Sequence, residues 1–385
     1  MHVFTPAQIS VRDTAAEAAR ELSKIIIDID RQTGHSKQWW EGLHLLENAG
    51  LLRLHIPKEK GGEGADTMSL VLAQEEIAKV DGGYANIVSH EACAYAIFTH
   101  CQDEALRERA IKSMAEGSLT CIAITEPDTG ADLAQMKTTA VADGDGWLIS
   151  GHKRVASLAG AAGMYLVFAL TDPSLGTRGI SAFVVDAGTP GLSVGEADEL
   201  MGFRQLPPAD VFFDNVRVTR SQLLGEIGGA FKLFAQALNL GRLGGGTQAL
   251  GVAQGAFEHA LAYAKKRHTF GKPLIEHQAI QFSLADMATQ IEASRALVYQ
   301  VARWMDETDD TTSREAAKLC AMVKMQASDM AMKVTIDAVQ VFGAYGNYRE
   351  NHVERLMRDA KVTQLVDGPN ELMKMRIGHA LIRGV

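Results

Sequence analysis

The residue whose type and setting best suit proton chemistry is Asp367, a carboxylate followed directly by Gly368 and Pro369. Gly-Pro stops a helix and bends the chain, so the spacing predicts a turn at Asp367, set between amphipathic helices. A carboxylate placed there is a reasonable general base. Upstream lie a glycine-rich turn, Gly343-Ala344-Tyr345-Gly346, and a charge cluster of Glu354, Arg355, Arg358, Asp359 and Lys361. Three further stretches carry groups able to meet a ligand. Thr125 to Asp132 (TEPDTGAD) sets a hydroxyl before a turn with open backbone N–H groups, which can bind ring carbonyls or phosphate oxygens. Gly151 to Ser157 (GHKRVAS) ends in a second hydroxyl, and Arg267 to Pro273 (RHTFGKP) is followed by His277-Gln278. Each also has a plain structural reading as a turn, a strand end or a helix C-cap with basic residues.

Other chemistries lack their residues. Gly244-Gly245-Gly246-Thr247-Gln248-Ala249 fits a relaxed dinucleotide pattern, but no strand precedes it and it lies inside a helical pattern. There is no Walker A sequence and no serine-hydrolase elbow. His90-Glu91 lacks the second histidine of a zinc-protease motif, and no His/Cys cluster has ligand spacing, so no metal site is expected. Cys93, Cys101, Cys121 and Cys320 show no paired spacing, which fits reduced thiols in the cytoplasm. A net charge of -9 argues against a nucleic-acid partner, yet local basic residues can still meet an anionic ligand. No apolar run reaches transmembrane length, and the N-terminus lacks a signal-peptide core.

A chain of 385 residues is long enough for two or three packed units. Residues 1–118 read as helical, with stops at Gly50, Gly82-Gly83 and Gly117. Residues 119–225 hold short runs rich in β-branched and aromatic residues, and Asp143-Gly144-Asp145-Gly146 is a hairpin signal. No helical pattern alternates with these strands, so antiparallel sheet is expected. Residues 226–385 return to helical spacing: Leu284, Met287, Ile291, Val298, Val301 and Met305 recur by threes and fours, as in a long bundle helix. The fold class is α+β multidomain, mainly α: helical domain, β-domain, helical bundle.

These stretches, in this order and at these spacings, resemble the acyl-CoA dehydrogenase family over nearly the whole chain. Ile56–Gly64 resembles its Pro–Gly-Gly loop and Thr125–Asp132 its T-E-P-x-x-G-S-D loop. Arg267–Gly271 resembles R-x-x-F-G, Gln340–Gly346 resembles Q-x-x-G-G-x-G, and Glu354–Ala360 resembles E-R-x-x-R-D-A. The resemblance implies an FAD enzyme, commonly a homotetramer built as a dimer of dimers. It would pass electrons to an electron-transfer flavoprotein or another acceptor. Thr125, Ala131 and Ser157 would then lie at the flavin ring. Arg267, Phe270, His277, Gln278, Gln340, Gly343 and Ala344 would meet the pyrophosphate and adenine portion bound mainly by a neighbouring subunit. Asp367 would remove the α-proton of an acyl-CoA, Arg242 would steady that base, and Asn239 would lie near the pantetheine. Glu91 would floor the acyl pocket, where relatives that form cyclic dienes use a carboxylate.

The departures from the family pattern concern the same site. The usual base is Glu, and Asp is one methylene shorter, a shift of roughly 1.5 Å. Displacement on that scale can cost on the order of 100-fold in rate. A second base position used by some members falls at Gly241, which has no side chain. The tryptophan that usually shields the flavin is Val155, the serine of the G-S-D loop is Ala131, and the threonine after the base is Pro369. Three readings stay open: a compensated ordinary dehydrogenase, one for a cyclic, branched or substituted acyl-CoA, or different flavin chemistry. The last covers an oxidase or monooxygenase of the nitroalkane-oxidase kind, whose nearby arginine falls at Lys374. An acyl carrier protein could also replace CoA as the carrier.

Overall fold

The computed structural model describes residues 3–384; Met1, His2 and Val385 lie outside the described residues. A capping box between Thr5 and Gln8, with Pro6 at the first helical position, starts α1 (Pro6–Leu22). After the short α2 (Ile26–Asp30), side-chain caps open the next four helices. Ser36 caps α3 (Lys37–Asn48), Asp66 caps α4 (Thr67–Ala78), Asp81 caps α5 (Gly82–Phe98) and Asp103 caps α6 (Glu104–Ala115). Helices α4 and α5 are apolar nearly all round and are buried to match.

An eight-stranded sheet follows: β1 (Leu119–Ala123), β2 (Thr139–Asp143), β3 (Gly146–Ser157), β4 (Ala162–Leu170), β5 (Ile180–Asp186), β6 (Leu192–Ala197), β7 (Pro208–Thr219) and β8 (Leu223–Leu224). Gly144 and Asp145 form the two-residue turn between β2 and β3, with Gly144 at φ 59. Most neighbours are antiparallel, but β1 runs parallel to β4, and β2 meets β4 in parallel at Thr139 and Leu170. This departs from the expected antiparallel sheet. No hairpin joins these strands, so their relative direction is set by the long path of the chain, which turn signals do not encode.

The helical bundle comprises α7 (Ala230–Lys266), α8 (Gln278–Thr308), α9 (Arg314–Phe342), α10 (His352–Thr363) and α11 (Asn370–Ile382); a two-stranded ribbon, β9 (His268–Thr269) and β10 (Lys272–Pro273), links α7 to α8. The glycines of α7 are packing devices. A Cβ at Gly246 would lie 2.5 Å from Val323 Cγ1, and one at Gly251 would lie 2.5 Å from Glu75 O. Helices α4 and α9 therefore approach the α7 backbone closely. The glycine triplet is helix-packing surface and not a nucleotide loop.

The charge cluster on α10 joins all three regions. Arg355 donates to Asp81 Oδ2 at 2.7 Å, and Arg358 donates to Asp30 Oδ2 at 2.7 Å and to Met201 O at 2.7 Å. Asp359 accepts from the backbone N–H of Phe203 at 2.8 Å. Helix α10 is thereby fixed against the N-terminal helices and the loop before β7, and its far end delivers the turn that carries Asp367. Among the described residues no helix is long and apolar enough to cross a membrane.

Candidate active site

Asp367 sits between α10 and α11 with φ 55, followed by Gly368 at φ 97. The left-handed conformation costs a non-glycine residue about 1–2 kcal/mol, so its surroundings must hold it. Its carboxylate lies on the glycine face of α7. Oδ1 is 3.3 Å from where a Cβ on Gly241 would stand, and Oδ2 is 3.4 Å from the same point on Gly245. The Gly241 point is also 3.4 Å from Cys93 Sγ, on α5. Two glycines one helical turn apart thus leave the flat strip that receives the carboxylate, with a thiol at its edge.

The groups around it are charged and buried. Asn239 Nδ2 donates to Thr311 O at 3.0 Å, and its Oδ1 accepts from Arg242 Nη1 at 3.2 Å, which fixes the guanidinium. Arg242 Nε and Nη2, like Arg376 Nε, are buried and have no hydrogen-bond partner in the chain. Burial pushes Arg242 down to about 10, aided by Arg376 and opposed by Asp367. Burial raises the Asp367 carboxyl above its ordinary value, opposed by Lys324 and then Arg242. Such a carboxylate is a stronger base than one in water, and unused guanidinium N–H groups nearby can receive a ligand oxygen.

The turn is gripped from α9. Lys324 Nζ donates to Gln364 O at 2.9 Å, Gly368 O at 2.8 Å and Asn370 Oδ1 at 2.8 Å. Asn370 Nδ2 donates to Ser328 Oγ at 2.9 Å and Asp329 Oδ1 at 2.8 Å, and Gln364 Nε2 donates to Asp329 Oδ1 at 2.7 Å. Sequence reasoning missed Lys324, Cys93, Asn370 and Arg376. For Lys324 a signal existed: it falls in phase with Cys320, Ala327, Ala331 and Val334 on the buried face of α9, where a lone cation needs partners.

Glu91 is anchored elsewhere. Its Oε1 accepts from the backbone N–H of Thr120 at 2.9 Å, and His90 Nε2 lies 2.9 Å from Thr120 O, so the pair clamps α5 to β1. Burial pushes Glu91 up to about 8, and its Oε2 has no partner. Cys93 stands in the field of both Asp367 and Glu91, each adding to the effect of burial on its thiol.

The residues read as flavin contacts form two groups. Thr125 and Ser157 are half-buried, and Thr125 O accepts from Arg154 N at 3.0 Å, which sets the loop beside β3. Glu126 secures that loop by accepting from Lys153 Nζ at 2.8 Å and from Thr138 N at 2.9 Å. Between them β3 bulges away from β7, with Val155 exposed at φ 59, rare for a β-branched residue. Ala131 is exposed at the loop tip.

The second group gathers at the far end of the bundle. The Arg267 guanidinium lies 5.8 Å from the Tyr345 ring centroid, and Tyr263 stacks on Phe342 at 4.2 Å. Phe270 is 97% exposed and meets His277 edge-on at 6.2 Å. Gln278, Gln340, Gly343 and Ala344 are exposed beside them, and a Cβ on Gly343 would meet nothing within 4 Å. An exposed cation, a bare aromatic ring and an open glycine turn fit a dinucleotide phosphate and base. Yet Arg242 and Arg267 stand 25 residues apart along α7, roughly 37 Å at helical rise. The cluster at Arg267 therefore lies well away from the Asp367 site. Among the described residues no group of three His, Cys, Asp or Glu is placed to hold a metal ion.

A half-buried carboxylate with arginine beside it sits on a helical–β–bundle frame. Domain profiles carry this further: acyl-CoA dehydrogenase N-terminal domain over residues 5–118, middle domain over 121–216 and C-terminal domain over 228–382. The chain belongs to the acyl-CoA dehydrogenase family, whose members use FAD. It is 38% identical to the cyclohex-1-ene-1-carbonyl-CoA dehydrogenase of Syntrophus aciditrophicus, over 95% of this chain and 87% of that protein. The butyryl-CoA dehydrogenase structure from Megasphaera elsdenii superposes with TM-score 0.94 at 36% identity, covering all of both chains. A chain in the structure described for the electron transferring flavoprotein of Acidaminococcus fermentans superposes with TM-score 0.92 at 36% identity, again over all of both chains.

Proposed function

We propose that Asp367 removes the α-proton of an acyl-CoA thioester during its oxidation to the enoyl-CoA. The observation that carries this reading is the seating of the half-buried Asp367 carboxylate on the Gly241–Gly245 strip, within the field of Lys324 and Arg242. Removing a proton beside a thioester calls for a base whose pKa approaches that of the activated carbon, and loss of water moves a carboxylate that way. Arg242, oriented by Asn239, keeps the carboxylate ionised and offers its free N–H groups to substrate oxygen. FAD, when bound, supplies the acceptor for the hydride that leaves the β-carbon. Thr125 and Ser157 offer hydroxyls to the ring edge, and Ala131 offers its backbone. Arg267, Phe270, His277, Gln278, Gln340, Gly343 and Ala344 are proposed to serve the cofactor of a neighbouring copy in a homotetramer, a reading their distance from Arg242 supports. An electron-transferring flavoprotein is the proposed acceptor, a reading supported by the Acidaminococcus neighbour.

The substrate proposed is cyclic, branched or substituted. A short base seated against α7 leaves more room above it than Glu would, and Val155 stands where the family usually has a tryptophan. The Syntrophus relative, named for a cyclic acyl-CoA, supports this. Glu91, held protonated with Oε2 free, is proposed to meet the far side of such a ring. Lys374, at the position of the nitroalkane-oxidase arginine, is exposed, which speaks against that chemistry. The test is anaerobic mixing of the flavin-loaded protein with straight, branched and cyclic acyl-CoAs while oxidised-flavin absorbance is followed. Bleaching that is fastest with cyclic or branched chains is expected. Bleaching only by straight chains would remove the substrate proposal, and none with any thioester would remove the activity.

A further inference from the structure

We propose that Lys324 is a positioning residue for the base: its buried cation holds the Asp367 turn in its left-handed form and supports the carboxylate's charge. The inference rests on Asp367 being the base. Lys324 has three N–H donors, and the structure offers three acceptors at 2.8–2.9 Å: Gln364 O, Gly368 O and Asn370 Oδ1. These lie three residues before, one after and three after Asp367, so a single ammonium group ties both arms of the turn. Gln364 caps the C-terminus of α10, where carbonyls carry partial negative charge and favour a cation; Asn370 is the first residue of α11. Lys324 therefore bridges the two helices whose relative placement sets the direction of the Asp367 side chain.

A plain structural anchor would not need an ammonium group at a fully buried position in the mostly apolar stripe of α9, where burial pulls its pKa down to about 8, opposed first by Asp367. Here the cation has a second use. Its Cγ is 3.7 Å from the same Gly245 point that lies 3.4 Å from Asp367 Oδ2, so lysine and carboxylate flank one spot on α7. The charged and titratable groups facing this spot are Cys93 on α5, Arg242 on α7, Lys324 and Asp329 on α9, and Glu371 and Arg376 on α11. Of the cations, only Lys324 also holds the backbone of the turn.

The test compares wild type, Lys324→Met and Asn370→Ala as flavin-loaded proteins, by anaerobic flavin reduction with the best acyl-CoA as a function of pH. Asp367 must be ionised to act, so the rate rises with pH through its pKa. Losing the cation raises that pKa, and the rising limb of Lys324→Met is expected to move up by about 1 pH unit or more. Its limiting rate is expected to fall by about 100-fold, with KM little changed. Asn370→Ala keeps the cation but drops one anchor; a rate loss of about five-fold or more with the limb unmoved is expected. A Lys324→Met limb that coincides with wild type overturns the proposal, even if the rate falls. If Lys324→Met cannot be recovered with flavin, Asn370→Ala decides: loss of rate at an unchanged melting temperature supports the proposal, and a wild-type rate overturns it. Failure of the wild type to be reduced by any acyl-CoA is a different result, because it rejects the base assignment itself.

Discussion

Glu91 is a buried carboxylate and Asp367 a half-buried one, and their surroundings divide them further. Asp367 has two cations in its field, which keep an ionised form within reach despite burial. Glu91 has only a backbone N–H and no cation, so burial holds it protonated to about pH 8. The consequence is measurable without any substrate. A glutamate ordinarily titrates near 4.5, so between about 4.5 and 8 the folded chain keeps a proton that the unfolded chain has released. Stability must fall as pH rises across that window. Glu91→Gln keeps the shape and the acceptor for Thr120 N–H but does not titrate. Its melting temperature should match wild type near the lower end of the window and exceed it increasingly toward the upper end. The full gain is on the order of 4 kcal/mol. A difference that stays constant with pH would show that Glu91 is ionised in the fold.

At the level of elements, α10 is the part on which the site depends most. Arg355, 1% exposed, is the counter-ion for two buried acids, Asp81 and Asp359, and its Nη2 also donates to Val80 O. Arg355→Met would leave both acids without it, at a cost of about 3–5 kcal/mol. Urea unfolding monitored by circular dichroism should show the lower midpoint; an unchanged midpoint would mean that α10 is held by packing alone. Much of this architecture was legible beforehand. The stops at Gly50 and Gly117, the Asp143–Gly146 turn and the apolar rhythm of α8 are local signals, and local signals survive in sequence. Asp367 was legible because Gly-Pro follows it. What stayed hidden depends on contacts between distant segments: the parallel β1–β4 pairing, the use of Gly241 and Gly245 as a seat for Asp367, and the reach of Lys324 across 40 and 44 residues to Gln364 and Gly368. The helical phase of Lys324 marks it as a buried cation that needs partners, but which partners it finds depends on a helix that comes later in the chain.

For the molecule as a whole, the N-terminal helices and the bundle meet at one carboxylate, while the residues suited to the adenine end lie far along the bundle. Helices of 37, 31 and 29 residues, α7, α8 and α9, carry the two ends of the proposed cofactor surface apart from each other. That separation is why a complete site is proposed to need a neighbouring copy, and why the exposure of Phe270 is read as a surface awaiting one. The middle sheet carries a bulge at Val155, which is exposed. The proposed function turns on proton transfer at Asp367, so the decisive measurement is made there. Wild type and Asp367→Asn, matched for flavin content, are mixed anaerobically with the best acyl-CoA, and the rate of flavin reduction is recorded. A loss of about 10²–10⁴-fold in the variant, with the thioester still bound, is expected for a general base. An Asp367→Asn rate within a few-fold of wild type would contradict the account and send the search for the base to another residue.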